Sequence, residues 1–97
     1  MATNGRELCL RLFVAGDSPD STVAITNLKG LFPDESPSVA IEIVDVQREP
    51  ARAARDGIIV TPTLLRISPH PMLRILGNLK NREALLNLLG IARSNAV

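Results

Sequence analysis

Aromatic residues are nearly absent from this 97-residue chain, which has two phenylalanines and neither tyrosine nor tryptophan. Proteins that bind single-stranded nucleic acid stack the bases on such rings, so the chain has no platform for that mode of binding. The charge gives no other reason to expect it, because the net charge is +1 and no block of like charge occurs. We therefore expect neither nucleic acid nor an anionic membrane as a partner.

Cysteine and histidine occur once each, as Cys9 and His70. A single cysteine excludes an internal disulfide and is typical of a reducing cytoplasm. One histidine between two prolines, with no cysteine nearby, gives no support for a metal site. No apolar run approaches the length of a membrane span, and neither a signal-peptide core nor a glycine-rich phosphate loop is present. We expect a soluble cytoplasmic protein without a metal or cofactor.

What the sequence does contain is a regular succession of strand and helix patterns. Seven segments are predicted in the order β-α-β-α-β-β-α: ELCLRLFVAG, the helix after GDSPDS, VAIEIVDV (mostly buried), the charged QREPARAARDG, IIVTPTLLRI, MLRILG and NREALLNLLGIARS. A helix joins the first two strands, which predicts a parallel pair, and a short turn joins the last two, which predicts an antiparallel pair. We expect one α/β domain over residues 1–97, with its core at about 7–93 and a mixed four-stranded sheet.

Three prolines lie close together in IIVTPTLLRISPHP, residues 58–71. Because proline cannot donate to a sheet ladder, Pro62 is expected to interrupt or begin a strand, and Pro69 and Pro71 to bracket a turn. An α/β domain with a proline at the start of its third strand resembles the thioredoxin fold. In that family the peptide bond of the Thr-Pro pair, here Thr61–Pro62, is typically cis.

The redox centre of a thioredoxin has no counterpart in this sequence. Such an enzyme needs Cys-X-X-Cys between the first strand and the first helix, where the helix N-terminus lowers the pKa of the thiol. This chain has Ser18-Pro19-Asp20-Ser21 at that position. Cys9 lies in the middle of a strand and is interpreted as a small buried apolar residue, with a redox role for Cys9 as the alternative. We expect a protein that is not an enzyme.

Four motifs carry a more specific resemblance: LFVAG (12–16), IVDV (43–46), TPTL (61–64) and ILGNLKNRE (75–83). Together they resemble the KaiB family of circadian clock proteins, from about Leu8 to Leu89. The resemblance implies a non-enzymatic adaptor of a circadian or stress-response system, which docks on the N-terminal ATPase lobe of a KaiC-like hexamer. The alternative is a thioredoxin-like regulatory domain that binds another signalling protein, such as a sensor histidine kinase.

The family resemblance also implies a second fold for the same sequence, β-α-β-β-α-α-β, in an oligomer such as a dimer or tetramer. The second half of the chain is the part that rearranges. Pro62, Pro69 and Pro71 are therefore interpreted either as gates, because prolyl isomerisation is slow, or as residues that only shape turns. Leu88 replaces a glycine of the relatives and favours helix by about 0.5–1 kcal/mol, which Gly90 partly offsets. We expect the thioredoxin-like state to be accessible, and whether the chain switches stays open.

Docking residues are expected, on this resemblance, in and around the short charged helix. They are Gln47, Arg48, Glu49, Arg52, Arg55, Asp56 and Gly57, with Arg66 on the next strand. A solvated helix face would have the same composition, and the family resemblance favours a partner surface. Where relatives carry a basic residue for binding KaiA, this chain has Glu42, and this inversion of charge makes KaiA an unexpected partner.

Overall fold

Within residues 8–32 and 38–89, which are the residues that the computed structural model describes, seven elements follow one another in the predicted order. The strands are β1 (Leu8–Val14), β2 (Val39–Asp45), β3 (Thr63–Ser68) and β4 (Leu73–Leu76). The helices are α1 (Pro19–Leu31), α2 (Pro50–Arg55) and α3 (Arg82–Leu89). The predicted α/β class with the order β-α-β-α-β-β-α is confirmed.

The four strands form one mixed sheet in the order β2-β1-β3-β4. β1 pairs in parallel with β2, and β3 pairs antiparallel with both β1 and β4, as predicted. Thr63, the first residue of β3, lies opposite both Phe13 on β1 and Leu76 on β4. The carboxyl ends of β1, β2 and β4 and the start of β3 therefore meet at one end of the sheet, and the loop to α2 leaves from there.

The alternation along β1 divides the apolar residues between the two faces of the sheet. One buried cluster, the α1–α3 core, contains four residues of β1: Leu8, Leu10, Leu12 and Val14. Its other members come from α1, β3, α3 and the loop before α3, and they are Ala24, Leu28, Leu64, Leu79, Leu85 and Leu89. Phe13 points to the opposite face and forms the α2 core with Val44, Ala53 and Leu65. Through this smaller α2 core, helix α2 packs against the sheet.

Two expectations about burial were wrong. β2 was predicted to be mostly buried, but Val44 is its one fully buried residue, and Glu42 and Ile43 are exposed. The reason is that β2 lies at the edge of the sheet, where it has one neighbouring strand. Cys9, expected to be buried, is half-buried on β1.

Helices α1 and α3 begin differently. Pro19 occupies the first turn of α1, and the N-cap residue Ser18 makes no side-chain cap hydrogen bond there. At the start of α3, the Oδ1 of Asn81 accepts a hydrogen bond from the Ala84 N–H at 2.9 Å, so Asn81 caps this helix.

Pro62 is buried directly before the first residue of β3, so it begins this strand rather than interrupting it. The Thr61–Pro62 peptide bond is cis, as in the fold family that the sequence resembles, and so are Ser68–Pro69 and His70–Pro71. Pro69 and Pro71 are exposed in the turn between β3 and β4. A role of these prolines as gates stays a prediction.

Candidate docking surface

Residues 47–57, called the docking segment below, contain all the predicted docking residues except Arg66. The segment begins where β2 ends, and Asp45 fixes that start. One oxygen of its carboxylate, Oδ1, accepts hydrogen bonds from the Gln47 N–H at 2.9 Å and the Gly16 N–H at 3.1 Å. Its main-chain oxygen accepts from Arg48 and Glu49. The backbone N–H groups of Gln47 and Gly16 hold the pKa of the Asp45 carboxyl below its ordinary value. The segment therefore starts from a geometry fixed by one ionised side chain.

Gly16, in the loop after β1, lies against the side chain of Gln47. Its φ of +54° is in the left-handed region, and a Cβ at this position would come within 2.8 Å of the Gln47 Oε1. Because Gly16 has no side chain, the side chain of Gln47 can lie across the β1–α1 loop.

Glu42 on β2 is the centre of a network of ion pairs under the docking segment. Its carboxylate contacts the Arg11 Nε at 2.9 Å and the Arg52 Nη1 at 2.6 Å. Arg11 also reaches Asp56, with 2.9 Å between Nη1 and Oδ2, and Arg52 is 3.5 Å from Glu49. Three predicted docking residues, Glu49, Arg52 and Asp56, are thus paired within the protein.

The network changes the ionisation of Glu42. Hydrogen bonds from Arg52 and then Arg11, with the attraction of both charges, lower the pKa of the Glu42 carboxyl from its ordinary value of 4.5 to about 2. A carboxyl whose pKa is lower in the folded than in the unfolded chain stabilises the fold above the unfolded pKa. That contribution is lost as the pH falls from 4.5 towards 2.

Glu42→Gln is expected to make the free energy of unfolding less dependent on pH in this acidic range. Because 45% of the Glu42 side chain is exposed, solvent screens the pairing, and we expect a contribution of no more than about 1 kcal/mol. Urea titrations at pH 5 and pH 2.5 measure it. Asp17→Asn serves as control, because exposed Asp17 forms no ion pair in the part of the chain that the structure describes. An equal loss of stability on acidification in wild type and Glu42→Gln would contradict the expectation.

Arg48 and Arg55 differ from the other charged residues of the docking segment. Both are exposed, and neither forms a salt bridge with any residue in 8–32 or 38–89. Gln47 is exposed beside Arg48, and Gly57, with φ +69°, follows Asp56 at the end of α2. Of the predicted set, these four residues are exposed to solvent and take no part in the ion-pair network.

Arg74 on β4 also belongs to this surface, and sequence reasoning missed it. Its Nη1 donates to the Gly57 oxygen and its Nη2 to the Asp56 oxygen, each at 3.1 Å. It therefore ties the end of the docking segment to β4. An arginine among the apolar residues of a short strand was the one signal, and nothing in the sequence indicated its partners.

Arg66 is not where the sequence interpretation placed it. Instead of being exposed beside the docking segment, its side chain is buried, with 7% exposure. The guanidinium donates to the Pro71 oxygen at 2.8 Å and to the Leu89 oxygen at 3.2 Å, and its Nε has no hydrogen-bond partner among the residues that the structure describes. Arg66 therefore holds α3 and the β3–β4 turn and does not join the docking surface.

The remaining predicted residues lie apart from this surface. Leu88 is half-exposed on α3, and Gly90 lies outside the described residues. The redox position of thioredoxins is filled by a structural contact, because the Oγ of buried Ser21 accepts from the Ala15 N–H at 3.0 Å. Among the residues described, no group of three or more His, Cys, Asp or Glu side chains could hold a metal ion. No helix in that part of the chain is long and apolar enough to cross a membrane.

Comparisons of sequence point to one family. A family model described as the KaiB domain matches residues 11–91. The circadian clock oscillator protein KaiB of Rippkaea orientalis is 42% identical over 78 residues, which are 79% of this chain and 75% of that protein. The KaiB of Thermostichus vulcanus is 39% identical over 87 residues, which are 89% of this chain and 81% of that protein.

Comparisons of structure return the thioredoxin-like fold. The N-terminal domain of Synechococcus elongatus SasA matches with a TM-score of 0.69 and 20% identity, over 91% of this chain and 85% of that chain. A thioredoxin of Fasciola hepatica matches with a TM-score of 0.72 and 23% identity, over 90% and 82% of the two chains. At these identities, the likeness concerns the fold alone.

Proposed function

This chain belongs to the KaiB family, and we propose from that membership that it is a non-enzymatic adaptor, which docks in its thioredoxin-like form on the N-terminal ATPase lobe of a KaiC-like hexamer. It acts in a circadian or stress-response system of the cytoplasm. It uses no cofactor, and the Ser18-Pro19-Asp20-Ser21 sequence leaves it without the dithiol of a redox enzyme.

The observation that carries the proposal is the division of charges on the docking segment. Glu49, Arg52 and Asp56 are paired inside the network that fixes α2, while Arg48 and Arg55 are exposed without an ion pair within the described residues. A segment already held in one geometry loses little entropy on binding, and its exposed cations favour an acidic partner surface.

Glu42 supports the exclusion of KaiA from the set of partners. Its carboxylate is paired with Arg11 and Arg52, so β2 carries a paired acid where the family resemblance implies a basic residue. A KaiA-type surface that complements a base would leave its own charge unpaired at this position.

Native mass spectrometry with the KaiC-type hexamer from the same cell tests the proposal, in ATP and then in ADP. We expect a ring that carries up to one copy of this chain per subunit. No complex in either nucleotide would overturn the proposal, and capture of a histidine kinase sensor segment in the same assay would favour the alternative function.

Reversal of the two free charges tests the surface itself. Arg48→Glu combined with Arg55→Glu is expected to weaken docking by at least about tenfold, because both cations face solvent in the free protein and a partner in the complex. Lys29→Glu combined with Lys80→Glu is the matched control, since it reverses as many charges at exposed positions that are not part of the docking segment. Biolayer interferometry measures the dissociation constants for the KaiC-type hexamer. An equal loss of affinity in both double variants would contradict the proposed docking surface.

A further inference from the structure

Beyond the charged segment, three large apolar side chains are left in solvent at the same end of the sheet. Ile59 is 93% exposed, Leu76 is 60% exposed and Val60 is about half-exposed. Single exposed apolar residues are common on protein surfaces, but a group of them beside a cleft is typical of an interaction site. Neither the fold nor the ion-pair network uses these side chains.

The three side chains border one groove of about 300 Å³, whose lining is Gly57, Ile59, Val60, Thr63, Arg74 and Leu76. Gly57 is both the last residue of the docking segment and part of this lining. Arg74 spans the two features, because it lines the groove and donates to the Asp56 and Gly57 oxygens. The groove is therefore continuous with the docking segment.

The groove lining is positively charged, because Arg74 is the one charged residue among its lining residues. Arg74 donates to main-chain oxygens rather than to a carboxylate, and Arg55 forms no ion pair in the described part of the chain. Asp56 is the nearest acid along the chain, and it is paired with Arg11. A complementary ligand would combine an apolar group with a negative charge beside it.

We propose that this groove receives one apolar side chain of the partner ATPase lobe, from a segment that carries an acidic residue next to it. The inference rests on the proposed function and names the chemistry of the docking element. A second copy of this chain fits less well. A two-fold symmetric contact through the groove would bring Arg74 of one copy towards Arg74 of the other.

Ile59→Ser is the direct test of the apolar contact. We expect its dissociation constant for the KaiC-type hexamer to rise about tenfold or more, because the largest exposed surface in the groove is removed. Met72→Ser is the matched control, since Met72 is 53% exposed and lies outside the groove lining. Urea midpoints of both variants establish that folding is unchanged.

The acidic character of the ligand is tested by a second pair of variants. Ile59→Glu and Ile59→Lys remove the same apolar group and add opposite charges, so their difference reports the charge that faces residue 59. We expect Ile59→Lys to bind several times more tightly than Ile59→Glu at low salt, with a smaller difference at high salt. Tighter binding of Ile59→Glu would overturn the acidic part of the proposal.

The remaining outcomes separate the groove from the function. Wild-type binding that Ile59→Ser leaves unchanged overturns the groove and leaves the adaptor function standing. Absence of wild-type binding overturns the function, and the groove proposal with it. If sedimentation velocity shows that Ile59→Ser abolishes self-association while ring binding is retained, the occupant is a second copy and the proposal is wrong.

Discussion

Arg66→Glu is expected to unfold at a much lower urea concentration than the wild-type protein, with a loss of about 3–5 kcal/mol. The wild-type guanidinium is buried against the Pro71 and Leu89 oxygens. A carboxylate at this position would face two acceptors without a donor, in a site where solvent cannot compensate for it. Leu89 is the last residue of α3, so the negative charge would also lie at the negative end of the helix dipole.

Two further substitutions separate charge from packing at this site. Arg66→Lys keeps the charge but has one ammonium group in place of the planar guanidinium, so we expect it to lose one of the two hydrogen bonds. Its loss of stability should be smaller than that of Arg66→Glu. Arg66→Met keeps the bulk and removes the unpaired Nε, and a well-packed apolar replacement of a buried charge is often tolerated. We expect the order of stability to place Arg66→Glu last.

Arg66→Glu also distinguishes the buried position of Arg66 in the structure from the exposed position expected from the sequence. An exposed docking arginine predicts that Arg66→Glu weakens ring binding without any change in the urea midpoint. A buried arginine that holds α3 predicts the large shift of the midpoint. A wild-type midpoint for Arg66→Glu would show that the buried geometry is wrong.

The face on which Arg66 lies could not be predicted, because β3 lacks an alternating pattern. Its residues Thr63, Leu64, Leu65 and Arg66 are all buried, since β3 is a central strand with helices on both faces. By contrast, the residues of β1 alternate between the α1–α3 core and the α2 core, and its sequence has the matching alternation. Periodicity thus predicts the orientation of side chains only where apolar and polar positions differ.

The order of the strands in the sheet is the second feature that could not be predicted from the sequence. The apolar run of β2 is typical of a buried parallel strand, yet β2 lies at the edge of the sheet. The sequence established that β1 and β2 are parallel, because a helix joins them, but not that β1 lies inside. The element order was predictable because local chemistry determines it, whereas the sequence left open whether Pro62 interrupts or begins the third strand.

Residues 47–57 were predicted to be a docking segment from the family resemblance, but the ion pairs within and beneath that segment could not be predicted. Arg11 and Glu42, which organise the network, are 31 residues apart, and Arg11 and Asp56 are 45 apart. Contacts of this kind depend on which strands become neighbours, and that follows only from the folded sheet. The consequence for function is specific, because the pairing leaves Arg48 and Arg55 as the cations available to a partner.

Phe13→Ala is expected to have the second large effect, a loss of about 3–5 kcal/mol in the free energy of unfolding. Phe13 is fully buried at the centre of the α2 core, against Val44, Ala53 and Leu65. Domains of this size have total stabilities of about 5–15 kcal/mol, so the variant would retain a fold of low stability. Because Ala53 is the buried residue of α2, the cavity would lie directly under the docking segment.

Leu12→Ala is the matched control for the effect on docking. Leu12 is the neighbouring residue on β1 and equally buried, but it belongs to the α1–α3 core on the opposite face. Its truncation is expected to cost about 2–5 kcal/mol and to leave the seat of α2 intact. At a temperature where urea titration shows both variants to be folded, we expect Phe13→Ala to bind the ring about tenfold more weakly than Leu12→Ala. Equal affinities would mean that the α2 core stabilises the protein without positioning its docking segment.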